Sequence, residues 1–161
     1  MAREMSLLQG PLAWLEEKLG PVEGISPVLP FSYTDYYTPE MGKDLVKRFL
    51  ALRHLWPAGD LPKIKAMTWD LEKKTSVDGR RTINLDPGLL TPEKLVLATG
   101  KDAGHRIYIG DGVFGDLHLL YQKGSYKPLP WTYPDYREEW IIQWMNRQRE
   151  RVMDQRRERE E

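Results

Sequence analysis

Gly110-Asp111-Gly112, set between residues 105–109 and 113–122, is the feature that most narrows what this chain can become. An Asp-Gly pair between two segments rich in β-branched and aromatic side chains signals a hairpin, because aspartate and glycine tolerate the positive φ that a tight strand-to-strand turn requires. Two antiparallel strands joined here are the first structural expectation. A two-residue turn anywhere in the tripeptide pairs residues whose numbers sum to an odd value, which places His105 on one sheet face with Phe114, Asp116 and His118. Ile107, Ile109 and Leu120 join that face, so its polar end lies away from the turn.

The remaining elements follow from periodicity and punctuation. Leu8, Leu12, Leu15 and Leu19 recur at helical spacing and predict a first helix, capped either by Ser6 with Gln9 or by Gly10-Pro11, and ended by Gly20-Pro21. Residues 28–37 read as a strand running into an aromatic loop. Thr38-Pro39-Glu40 starts one helical turn that Gly42 stops. Residues 47–56 read as a strand, with helix as the competing reading, and Asp60 with Pro62 opens a helix carrying Ile64, Met67, Trp69 and Leu71. Asp78-Gly79 is a turn, residues 82–85 a short strand, and Thr91-Pro92-Glu93 the start of a helix that Gly100 ends. After Lys123-Gly124 a proline-rich aromatic loop leads to a last helix, over residues 137–161, with Trp140, Ile141, Trp144, Met145 and Val152 on its apolar face and a frayed, charged tail.

At 161 residues the chain is expected to be a single domain with its own core. Its 24 basic and 24 acidic residues cancel, which argues mildly against RNA and against an anionic membrane as partner. The absence of cysteine removes disulfides, thiolate metal sites and cysteine nucleophiles, and suits a reducing cytoplasm. No apolar run is long enough to span a bilayer.

Several motifs, taken in order, carry a family likeness. Residues 31–37 (Phe-Ser-Tyr-Thr-Asp-Tyr-Tyr), Glu40-Met41-Gly42, residues 80–88 (Arg-Arg-Thr-Ile-Asn-Leu-Asp-Pro-Gly), residues 94–99 (Lys-Leu-Val-Leu-Ala-Thr), Lys101-Asp102, residues 105–112 (His-Arg-Ile-Tyr-Ile-Gly-Asp-Gly) and residues 130–137 (Pro-Trp-Thr-Tyr-Pro-Asp-Tyr-Arg) together resemble domain-of-unknown-function family 4416 of prokaryotes. The resemblance covers most of the chain and implies little about activity. Some members carry a GTP-binding label, but this chain has no G-x-x-x-x-G-K-[ST] loop to cradle phosphates. The resemblance also implies an apolar strand before the first helix, whereas this chain starts almost at the helix: either its start is truncated or the sheet lacks that strand. Restoring it gives the order β-α-β-β-α-β, so the expected fold is α+β: a ferredoxin-like split βαβ-type core with its first strand apparently missing, an added hairpin and a C-terminal amphipathic helix.

Three residues are candidates for catalysis: His105, Asp35 and Asp116. On the expected register His105 lies opposite Asp116 or His118, close enough for an imidazole–carboxylate pair or for two metal ligands, and equally for a structural hydrogen bond at the sheet rim. The family motif includes His105 but not His118, which weakens a two-histidine metal site. Asp35, Asp86, Asp111 and Asp135 can bind a divalent metal or act as acid and base if brought together. Against that, Asp86 and Asp111 are also ordinary turn residues, and Asp135 is a candidate helix cap. Arg80, Arg81, Lys101 and Arg106 are candidate ligands for phosphate or carboxylate, or solvated surface charge. Tyr33, Tyr36, Tyr37, Trp131, Tyr133 and Tyr136 are candidates for stacking on a base or lining a cleft, and equally for stapling the proline-rich loop onto the core, with Asp86, Asp135 and Arg137 beside them.

Two functions follow. The first is a site for a small anionic ligand, nucleotide-like or phosphorylated and open to catalysis, where the Tyr33 loop, the Asp86 turn, the Lys101–Arg106 segment and the Trp131 loop meet. The second is a binding module, in which the Trp140 and Trp144 stripe meets a protein partner or a second copy of the chain, or the aromatic residues and arginines hold RNA.

Overall fold

The computed structural model describes residues 1–160. They fall into two compact units, Met1–Trp56 with Ala66–Leu85, and Pro57–Lys65 with residues 86–160. Helix and strand are mixed throughout, as expected of an α+β chain.

In the first unit, helix α1 (Gln9–Leu19) follows a 3-10 turn, Met5–Leu8. The Ser6–Gln9 capping box does not form: neither the turn nor the helix has a side-chain cap, and Pro11 takes a first-turn position where its missing N–H costs nothing. Leu7, Leu8 and Trp14 pack on buried Ala2, Leu71 and Ile83. Gly20, at φ 100°, ends the helix as expected.

Strands β1 (Val22–Ile25) and β2 (Leu29–Phe31), helix α2 (Thr38–Met41), and strands β3 (Leu45–Lys47) and β4 (Leu50–Leu52) come next. The single strand expected over residues 47–56 is instead two short ones. They part at Phe49, whose N–H donates to the Ser26 hydroxyl (2.9 Å) while Ser26 N–H donates to Phe49 O (3.0 Å). Pairing slips by one residue across this point, with Leu29 opposite Lys47 but Ile25 opposite Leu50. The strand expected over residues 82–85 shrinks to one antiparallel bridge between Ile83 and Ala2, and Ala2 also bridges Val46. Beyond Ile83 the backbone turns to other partners, since Asn84 exchanges hydrogen bonds with Met1 and Leu85 N–H donates to the Glu72 carboxylate. The resulting spatial order is Ile83, Ala2, Val46, Pro30. Helix α3 (Leu61–Lys74) buries Ile64 and Leu71 as its spacing predicts, and buries the polar Lys65, Thr68 and Glu72 with them.

The second unit is built on an antiparallel sheet of β5 (Gly88–Leu90), β6 (Lys94–Thr99), β7 (Arg106–Gly110), β8 (Val113–Gln122) and β9 (Ser125–Pro128). The order is β5-β6-β8-β7, with β9 also paired to β8. The helix expected over residues 91–100 is strand β6. Thr91 Oγ1 does accept the N–H groups of Glu93 (3.2 Å) and Lys94 (3.1 Å), but it closes a turn there, and the six residues that follow are a buried central strand.

The hairpin at Asp111-Gly112 forms, with φ of 52° and 72°. Its register corrects the parity argument. Tyr108 pairs with Phe114 while Gly110 pairs with Val113, so Ile109 is an extra, bulged residue and every pair beyond it is shifted by one. Arg106, not His105, stands opposite Asp116, and His105 lies in the turn before β7. A second hairpin of the same kind, at Lys123-Gly124 (φ 50° and 83°), makes residues 125–128 a strand where a loop was expected.

The chain then makes a 3-10 turn, Pro134–Arg137, and helix α4 (Glu139–Glu160), whose Ile141, Trp144 and Met145 are buried. Asn146 fastens the helix by accepting Tyr126 N–H (3.0 Å), and Arg149 lies 3.6 Å from the Tyr121 ring centroid. Glu161, the end of the tail expected to fray, lies outside the described residues.

Candidate functional site

Among the described residues, no strand neighbours β8 at Leu117 and His118 on one side. β7 pairs residues 113–116, β9 pairs residues 119–122, and β6 occupies the opposite edge. Side chains of the proline-rich loop fill the gap. Trp131 Nε1 donates to Leu117 O (2.7 Å) and the Thr132 hydroxyl donates to His118 O. Thr132 also closes its own turn, accepting Leu129 N–H at 2.8 Å. Arg137 donates to the carbonyls of Thr132 (2.8 Å), Pro130 (2.8 Å) and Leu129 (3.1 Å), satisfying backbone acceptors of a loop that has no ladder of its own. Its role is therefore to shape the loop.

Asp116 stands at the centre of this arrangement, 1% exposed. Oδ2 accepts Arg106 Nε at 2.9 Å and lies 3.3 Å from His105 Nε2, while Oδ1 lies 3.2 Å from His118 Nδ1. Burial alone pushes its pKa up, but the hydrogen bonds from His118 and Arg106 outweigh it and hold the carboxyl below its ordinary value. Asp116 is the ionised hub.

The geometry assigns both imidazoles. The backbone N–H of Tyr133 points at His118 Nε2 (3.1 Å), and an amide can only donate, so Nε2 accepts and the ring proton sits on Nδ1, facing Asp116. His118 is 0% exposed, between the rings of Tyr133 and Tyr136 at 4.6 Å each. It is a structural link between sheet and loop. For His105 the order is reversed: Nε2 faces the carboxylate and carries the proton, leaving the Nδ1 lone pair available. His105 is stacked on Trp131 (4.9 Å between centroids, 18° between planes), and its side chain is 23% exposed.

Arg106 is spread over three partners: Asp116, Lys101 O (3.0 Å) and the Tyr133 hydroxyl (3.1 Å). Burial raises the Tyr133 pKa against the pull of Arg106. The Asp86 carboxylate is near enough to act on the same hydroxyl, and lies 3.5 Å from buried Lys65. Asp135 is buried in the 3-10 turn. Of the candidate residues, the second unit thus gathers His105, Arg106, Asp116, Trp131 and Tyr133 in one constellation, with Asp86, Lys101 and Arg137 bordering it.

Tyr33, Asp35, Tyr36 and Arg81 belong to the first unit. Tyr33, Asp35 and Tyr36 are exposed, and their loop is ordered by edge-to-face contacts of Tyr33 with Phe31 and of Tyr36 with Tyr37. Arg81 is held by a two-pronged bond to Glu40 (2.8 and 2.7 Å) and by Asn84 (2.8 Å), with Glu72 at 3.7 Å. The bond to Glu40 raises the Arg81 pKa and lowers that of Glu40. Glu40, read from the sequence only as part of a helix start, is the partner that fixes Arg81. Forty-one residues separate the pair, so no local pattern marks it.

Among the described residues no group of three or more histidine, aspartate or glutamate side chains is placed to hold a metal ion. His118 Nε2 is already occupied by an amide, which removes it as a metal ligand. No described helix is long and apolar enough to cross a membrane. The chain belongs to the family described as Domain of unknown function (DUF4416), whose model matches residues 1–152. No curated protein and no solved structure matches it.

Proposed function

We propose that the second unit binds a small anionic ligand, phosphorylated or nucleotide-like, at His105 and Trp131, and that His105 exchanges a proton with it. The carrying observation is the division of labour around Asp116. His118 and Arg106 are consumed in holding the loop, whereas His105 is oriented by a buried carboxylate, stacked on an indole and 23% exposed. Nδ1 of an imidazole so placed faces away from the carboxylate and is the atom that meets a proton donor on the ligand. Trp131, 37% exposed, supplies an apolar wall, and Arg106 adds positive charge behind it.

The test is an NMR titration of the imidazole resonances with inorganic phosphate and with adenosine monophosphate. The proposal expects saturable shifts at His105, none at His118, and loss of binding in His105→Ala. Shifts unaffected by that substitution would refute it. For the first unit, the order Ile83, Ala2, Val46, Pro30 supports a split β-α-β-β-α-β core, with Ala2 standing where the first strand belongs.

A further inference from the structure

Strand β7 is an edge of the five-stranded sheet, and it lacks the features that keep edges from pairing. Natural edges are blunted by shortness, proline or outward lysine. β9 has Lys127 and Pro128, and β5 is three residues long behind Pro87. β7 has five residues, and three in succession are large, apolar and open to solvent: Ile107 at 73%, Tyr108 at 60% and Ile109 at 38% exposure. Its one charged side chain, Arg106, is turned to Asp116 and is only 10% exposed, so it does not guard the edge. The bulge at Ile109 limits the pairable stretch without adding charge.

We infer that β7 pairs with β7 of a second copy of this chain, antiparallel about a two-fold axis. Three features favour a second copy over another partner. The apolar run is self-matching, since Ile107-Tyr108-Ile109 reads alike in both directions and antiparallel pairing sets apolar against apolar. The ends of the strand differ in character, with His105 before it and exposed Asp111 at the turn, so antiparallel pairing keeps the two Asp111 carboxylates apart while parallel pairing sets them side by side. Third, the Trp140–Trp144 stripe offers less open apolar surface than β7, since Ile141, Trp144 and Met145 are buried and Trp140 is half-buried.

Light scattering coupled to gel filtration on the full chain tests this. The wild type should elute at twice the chain mass, and Ile107→Lys at the chain mass with unchanged circular dichroism. Hydrogen exchange at the Ile107 and Tyr108 amides should slow as wild-type concentration rises. A wild-type monomer at the highest attainable concentration overturns the inference, and so does a dimer that survives Ile107→Lys. Either outcome leaves phosphate binding at His105 to be judged by its own titration.

Discussion

His118→Phe isolates what the buried imidazole contributes. Phenylalanine keeps an aromatic ring of similar size between Tyr133 and Tyr136 but can neither donate to Asp116 nor accept from Tyr133 N–H. Losing the bond to the buried carboxylate costs about 1.5–3 kcal/mol, as for hydrogen bonds to charged groups. Leaving the Tyr133 N–H without its acceptor costs about 1–3 kcal/mol more, toward the low end because that amide is only partly buried. The sum is about 2.5–4 kcal/mol, a large share of the 5–15 kcal/mol that holds an ordinary domain together. Urea unfolding followed by tryptophan fluorescence and by far-ultraviolet circular dichroism reads this directly. Since Arg106 and His105 still contact Asp116, the sheet should persist, and residues 129–137 should exchange their amide hydrogens fastest. A loss below about 1 kcal/mol, within the range of an ordinary surface change, would refute the reasoning.

Asp116 gives a pH test: its folded pKa is depressed, so it contributes stability above the unfolded value near 3.9 that is lost as pH falls through the folded one, and Asp116→Asn should flatten the acid limb of a stability–pH curve. Tyr126 acts at the other end. Burial raises its pKa, so its contribution is full below about pH 10 and declines as pH rises beyond the unfolded value; Tyr126→Phe should remove that alkaline decline, as thermal unfolding scans between neutral and high pH will show. In the first unit, Arg81→Ala should cost about 1.5–3 kcal/mol in urea unfolding by taking the charged partner from Glu40 and buried Glu72, and Arg81→Lys should recover only part, since lysine lacks the planar fork.

What could be read from the residues, and what could not, divides along physical lines. The Asp111-Gly112 turn was legible because positive φ is a property of the residues at the turn itself. The parity drawn from it was not, because a single bulged residue at Ile109 inverts every pair that follows. Asp116 still proved to be the partner of His105, but the contact comes from the turn before β7 rather than from the ladder. Leu95-Val96-Leu97-Ala98 is a buried run whose periodicity does not separate helix from strand. Its length between Glu93 and Gly100 favours a strand, and the Thr-Pro-Glu signal pointed the other way. Lys123-Gly124 does what Asp111-Gly112 does, but Pro128 masked the strand behind it. The grip of Arg81 on Glu40 joins distant segments and has no local signature at all.

One buried carboxylate holds two histidines in opposite states, His118 with Nδ1 toward it and Nε2 closed off by an amide, His105 with Nε2 toward it. Long-range proton–nitrogen correlation of the imidazoles measures this directly, because it distinguishes a protonated from an unprotonated ring nitrogen at neutral pH. The arrangement predicts a proton on Nδ1 of His118 and on Nε2 of His105. A proton on Nε2 of His118, or a neutral His105 carrying its proton on Nδ1, would contradict it.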